Sequence, residues 1–468
     1  MKIRGQTMRW AAMGVAVVLS AGLAQAQSTI SWAAGVNGDW QDDARWSSGV
    51  APTAADNVRF SNGGATYTVT LTDDVDITYM RSFPGANGID VTFDLNGYDL
   101  TANDGSNQNY MQGNAGGAES KWTFSNTSTT DGTVTLWRPN IMFANRSAKH
   151  TIVVTGAHTT LLGVGTGLDD SFVVGRGNTG GEEARLEILD GATVHSVLQN
   201  LTSRMAIRLG RNDSTVTPVV LVDGAGSTLT VDKLEYRRGD ISVSVTNGGR
   251  ILANEIATSS VTLNGASLTV SGADSLVDVA GLLQPRLAGW EVTVSDGGQL
   301  KADRIQLFGE ADNTHVVHVH GHASVGGDVE SAIVTDEDGD NNDFRVLSGA
   351  VTRTLRFTLT DPDITTALIK TGTMDVQTGF FELDILADPA FKAGWQENDT
   401  FKLIEFSTWS GQFFGNVTDG EEFTTSQGDV FRIDRNTNDL TLTYIPEPGS
   451  VMLLGLGGLL LALRRRCA

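Results

Sequence analysis

The sequence predicts an all-β protein built as a right-handed parallel β-helix, a solenoid with β-rich N- and C-terminal caps, and three observations lead there. First, from Thr151 onward one phrase recurs, an alternating run of β-branched residues that ends in a glycine turn, at Gly156, Gly191, Gly224, Gly248, Gly272, Gly297 and Gly321. The intervals are 35, 33, 24, 24, 25 and 24 residues, and a nearly fixed period in this range is the mark of stacked structural repeats. Second, each unit holds two or three short strands of period two, as in Ile241 to Val245 and Arg250 to Ala253, with no amphipathic helix of useful length. Third, Asp or Asn stands before several of these glycines, the residues that tolerate the left-handed backbone a tight corner requires. An antiparallel β-sandwich array is the alternative that the same alternation allows.

Taken in chain order, residues 1–26 read as a secretory signal peptide. Lys2, Arg4 and Arg9 form its basic start, Trp10 to Leu23 its apolar stretch, and Ala24-Gln25-Ala26 a small-residue cleavage site for signal peptidase. Residues 27–150 are expected to hold an N-terminal β cap and the first rungs. There Trp32, Trp40 and Trp46 suit a lid over the open end of a solenoid, which would otherwise expose its core and its strand edge. The alternative is a glycan platform, in which the same indoles stack on sugar beside Asp39, Asp42 and Asp43. Residues 151–335 are the repeats. Residues 336–444 form a C-terminal β module that closes the last rung, expected to be small and antiparallel.

The tail, residues 445–468, carries the address. Pro446-Glu447-Pro448 precedes a 13-residue apolar run from Val451 to Leu463, and then Arg464, Arg465 and Arg466. A bilayer takes about 20 apolar residues to cross, and the glycines between Gly449 and Gly458 lower helix propensity further, so the run is a transient stop. The arginines hold the cytoplasmic side and leave everything before Pro446 outside. In this arrangement the tail resembles the PEP-CTERM sorting signal of Gram-negative bacteria. The resemblance implies cleavage near Pro446 to Pro448 by an exosortase-type membrane transpeptidase and delivery to the envelope, the surface or the extracellular polymer. The phrases from Val222 to Val231 and from Val270 to Val279 resemble the repeats of autotransporter-like passenger domains. That resemblance implies a surface-exposed structural or adhesive, biofilm-matrix type of protein, with exopolysaccharide as its partner.

Composition narrows the partners. The formal net charge is −22, and it becomes −28 once the six basic residues Lys2, Arg4, Arg9 and Arg464 to Arg466 are set aside, which disfavours nucleic acid and anionic lipid. The single cysteine, Cys467, lies beyond the sorting motif, so the body has no disulfide and no thiol nucleophile.

Chemistry-bearing residues are few. On a strand, His318, His320 and His322 share one face while His315, Val317 and Val319 share the other, so the first three imidazoles face solvent as a metal-ligand candidate. Asp336, Asp338 and Asp340, followed by Asn342, begin like a calcium loop, but Asn341 and Leu347 stand where the loop glycine and the bidentate glutamate belong. A weak Ca2+ site is therefore the only cofactor the sequence suggests. Adjacent pairs such as Asp169/Asp170, Glu182/Glu183 and Arg237/Arg238 point to opposite faces of a strand, and no hydrolase or phosphate-loop motif occurs. The expectation is a non-catalytic exported surface or matrix protein; the alternative is a β-helix polysaccharide-binding protein or polysaccharide lyase or hydrolase.

Overall fold

The computed structural model describes residues 29–446 except 83–87, 103–108, 114–118, 144–148, 166–171, 177–182, 199–205, 211–215, 238, 259–262, 285–288, 308–314, 326, 336–342, 348–351 and 363. The period-two alternation becomes strands throughout. The only helices among the described residues are a single 3-10 turn at Asp43–Arg45 and one α-turn at Pro389–Lys392.

One face is a 13-stranded sheet that starts at Gly38–Asp39 and Thr66–Thr70 and ends at Arg353–Leu359 and Phe381–Ala387. Every neighbouring pair in it is parallel, and each strand comes from the next pass of the chain. At one rung per inter-strand spacing the stack is roughly 60 Å long. The remaining long strands form two further faces in a second large sheet. One face begins with Val75–Ile77, Leu100–Ala102 and Gly132–Trp137, and the other with Asn57–Phe60, Tyr79–Ser82 and Tyr110–Gly113. This all-β, largely parallel arrangement is compatible with a β-helix or solenoid. Antiparallel pairing among the described residues is confined to the hairpin Ala323–Val325/Asp328–Glu330, the closing strands and an isolated bridge between Trp32 and Trp46.

The geometry explains why the interval shortens from 33 to 24 residues. In the pass after Gly191, Thr193–Leu198 and Ile207–Leu209 are separate strands on the two faces. Both pair with the single nine-residue strand Thr228–Tyr236 of the next pass. From there Arg250–Thr258, Leu276–Gln284 and Gln299–Leu307 repeat the fused form, and the connecting loop is gone.

Inward residues stack in columns that the register defines. Tyr67, Val91, Trp122, Ile152, Leu186, Val220, Val243, Leu268, Val292, Val317, Leu355 and Leu383 follow one another down the first face, all at most 3% exposed. Each aliphatic member contributes about 1.5–3 kcal/mol by leaving water. The corners after this face use the expected residues: Asp190-Gly191, Asn247-Gly248 and Asp296-Gly297 all have positive φ, between 52° and 88°. Buried serines join corner to corner. The Ser227 hydroxyl accepts from Gly191 N and Ser275 accepts from Gly248 N, both at 2.9 Å.

The ends are closed differently. Trp32, Trp40 and Trp46 pack edge-on, with 4.9 Å between the Trp46 ring and each of the others, and Trp46 Nε1 donates to the Trp40 carbonyl at 2.6 Å. The three are 1–2% exposed, so no indole face is open to solvent. This corrects the glycan-platform alternative, because stacking on a sugar needs an exposed ring face. At the other end the parallel ladder continues beyond residue 336 through Asp343–Val346, Ile369–Val376 and Thr400–Gly411. Only the last part is antiparallel, with Asp439–Ile445 lying between Thr400–Gly411 and Val430–Arg435 over a cluster of Trp395, Phe401, Phe431 and Tyr444.

Candidate functional site

Two surface regions bring polar side chains together, and the first is the histidine corner. On the strand His315–His320, His315, Val317 and Val319 point into the core at 0–2% exposure, while His318 and His320 point outward with parallel rings 6.3 Å apart. Each outward imidazole is engaged elsewhere. His318 Nε2 lies 2.9 Å from the Thr358 hydroxyl, His320 Nε2 lies 3.1 Å from a carboxylate oxygen of Asp388, and His322 Nε2 donates to the Thr366 carbonyl at 2.7 Å.

Partial burial lowers the pKa of His318, assisted by the positive charge of Arg356 and the neighbouring His320. Burial also lowers that of His322, against the opposing pull of its Thr366 bond and Asp361. Asp388 is held below the usual carboxylate range chiefly by the Ala390 amide, then by His320. Asp296, at the neighbouring corner, is held down by the hydroxyls of Ser271 and Ser295.

The three imidazoles therefore face three different partners and do not converge. Among the described residues no group of three His, Cys, Asp or Glu side chains is placed to hold a metal ion. Asp336, Asp338 and Asp340 lie outside the described residues. Sequence reading missed Asp388, which stands 68 residues beyond His320; only the rung register brings the two together. The corner opens onto a groove of about 420 Å³ whose lining includes Asp296, His320, Asp361, Asp388, Val329 and Phe391.

The second region is a pair of adjoining grooves on the neighbouring face, of about 450 and 520 Å³, which share Lys370. Lys301 and Lys402 join it along the trench, opposite Asp278, Asp303 and Glu330 in one groove and Glu405 and Asp439 in the other. Down the outward column Asp278, Lys301, Val334, Lys370 and Glu405 follow one another, so an acid stands in register with a lysine on each side of Val334. Such a surface offers hydrogen bonds and mixed charge to a polymer laid along the stack. Of the adjacent pairs read in the sequence, Glu183 is tied to Arg185 and Lys149, and Arg237 to Glu235; Asp169, Asp170, Glu182 and Arg238 lie outside the described residues.

At the C-terminus the strand Asp439–Ile445 runs into Pro446. Ala24, Ala26, Glu447, Pro448, Arg464, Arg465 and Arg466 lie outside the described residues. No described helix is long and apolar enough to cross a membrane, so the transmembrane expectation rests on the sequence of the tail alone.

Residues 445–466 match the PEP-CTERM protein-sorting motif. No curated protein and no solved structure shows a significant match to the chain. The motif implies a protein exported to the cell envelope or surface and sorted at its C-terminus, and it is associated with processing by exosortase, a membrane enzyme. It accords with the signal peptide read at the other end.

Proposed function

We propose that this chain is a non-catalytic structural or adhesive protein of the Gram-negative cell surface or extracellular matrix. Its body is a right-handed parallel β-helix, held at the inner membrane only until an exosortase-type enzyme cuts it, and then retained by exopolysaccharide. One observation carries the reading: the closing strand Asp439–Ile445 ends at Ile445, the residue at which the sorting motif begins. Cleavage at Pro446 to Pro448 therefore removes the address without removing any described strand, column residue or cap residue. The likeness of the repeats to passenger domains supports a scaffold role, and so does the ladder, which spends its length on regular packing.

Mass spectrometry of the mature C-terminus, with cell fractionation, tests it. The expected result is an end within residues 446–448 and protein in the envelope or polymer fraction, with Glu447→Ala blocking both. Inner-membrane protein that keeps Arg464 to Arg466 overturns it.

A further inference from the structure

The groove at the histidine corner combines features that neither the sorting motif nor the ladder requires. Among the described residues five large apolar side chains are exposed, and two of them, Val329 at 53% and Phe391 at 45%, line this one groove. The same groove is lined by the carboxylates of Asp296, Asp361 and Asp388 and the imidazoles of His320 and His322, and two of the carboxylates are fixed in orientation. Asp388 is pinned by His320 and by the Ala390 amide at 2.9 Å, and Asp296 by Ser271 at 2.7 Å and Ser295 at 2.9 Å. Trp395 Nε1 donates to the Thr360 carbonyl at 3.0 Å, beside Asp361, and steadies the far wall. The positive-φ glycines Gly297 and Gly321 form the corner edge without side chains that would close it.

We propose that this groove binds a neutral pyranose unit of an exopolysaccharide, an inference that rests on the matrix-retention reading above. The exposed Phe391 ring offers an apolar face to the C–H face of a sugar, and ionised carboxylates with unused lone pairs accept its hydroxyl protons. Prior fixing of Asp296 and Asp388 means little side-chain entropy is lost on binding. The volume of about 420 Å³ falls within the range of small-ligand sites. Three carboxylates against two imidazoles, with no Lys or Arg among the described lining residues, disfavour a polyanion such as a polyuronate. The parting of the imidazoles to separate partners argues for a sugar over a cation.

Affinity electrophoresis of the full chain in mild detergent provides the test, with gels containing a soluble β-glucan, a galactomannan, a xylan or polygalacturonate. At least one neutral polysaccharide should retard the protein. Phe391→Ala should weaken that retardation roughly fivefold or more. Phe380→Ala, which removes another exposed ring at the opposite end of the first-face strands, should leave it unchanged, and the unfolding midpoints of both variants should match the parent.

No retardation by any neutral polymer, preference for polygalacturonate, or equal binding by Phe391→Ala each overturns the inference. The variant is also checked for its C-terminus and location. Correct cutting and export without a binding defect defeats the groove alone, whereas a retained Arg464 to Arg466 tail in the parent defeats the proposed function.

Discussion

The middle of the ladder and its two ends solve the same packing problem with different side chains. In the middle, Leu186, Val220, Val243 and Leu268 stack on one another, and each neighbour is nearly a copy. At the ends, Trp32, Trp40 and Trp46 on one side and Trp395, Phe401, Phe431 and Tyr444 on the other form single clusters without a second copy. The contrast extends to the inward position that opens each strand of the first face. It is apolar at Ile89 and Phe381, the outer members, and polar in two places inside them, with Ser120 beside His150 and His315 beside Arg353. Between those two polar pairs it is apolar, with Ala184 next to His150, and Ala266 beside Trp290. A repeated rung shares any loss with equivalent neighbours, while a cap has none to share with, so stability should concentrate toward the ends and acid sensitivity at the buried polar pairs.

The largest test of this contrast is Trp46→Ala, which empties the centre of the N-terminal cluster and removes the hydrogen bond to Trp40. A loss of about 3–5 kcal/mol is expected in denaturant unfolding, against about 1 kcal/mol for Ile188→Val in the middle. Equal losses would break the comparison.

Next comes acid. Burial pushes the pKa of His150 from 6.5 down to about 4, so the folded state refuses a proton that the unfolded chain accepts. Its contribution is complete above pH 6.5 and is lost as pH falls from there to about 4, by about 3 kcal/mol. The difference between parent and His150→Leu, followed by unfolding at stepped pH, should carry that slope. Hydrogen exchange should show acid loosening the His150 rungs before those around Val243.

The smallest test lies at a middle corner. Gly248→Ala forces a side chain onto a backbone at φ 85°, with its Cβ 3.3 Å from Ala225 Cα, at a cost of about 1–3 kcal/mol in the unfolding midpoint. A larger loss there than at Trp46 would reverse the order.

The same contrast decides what could be read in the sequence. The glycine-marked repeat was visible from Gly156 to Gly321 because corners such as Asn247-Gly248 are chemically narrow and the aliphatic columns are uniform. The earlier rungs belong to the same stack but were not legible as repeats. Tyr67 and Trp122 occupy the column of Ile152 and Leu186, and the loops between their faces vary in length. The alternation of His315 inward and His318 outward followed from strand geometry alone. The groove beyond it did not, because Asp296, Asp361 and the turn that holds both Asp388 and Phe391 belong to three different passes that only the three-dimensional register aligns. The tail motif was legible because its parts are contiguous.

The closing strand has a mechanical consequence. Asp439–Ile445 is held on both sides, by Thr400–Gly411 and by Val430–Arg435, with hydrogen bonds that run across its direction. Tension applied at Pro446 along the strand therefore loads those bonds together in shear, not one at a time as in unzipping. Because Thr400–Gly411 is also the last rung of the parallel ladder, the load passes straight into the stack. The end that leads into the sorting motif is thus also the end whose pairing resists a pull.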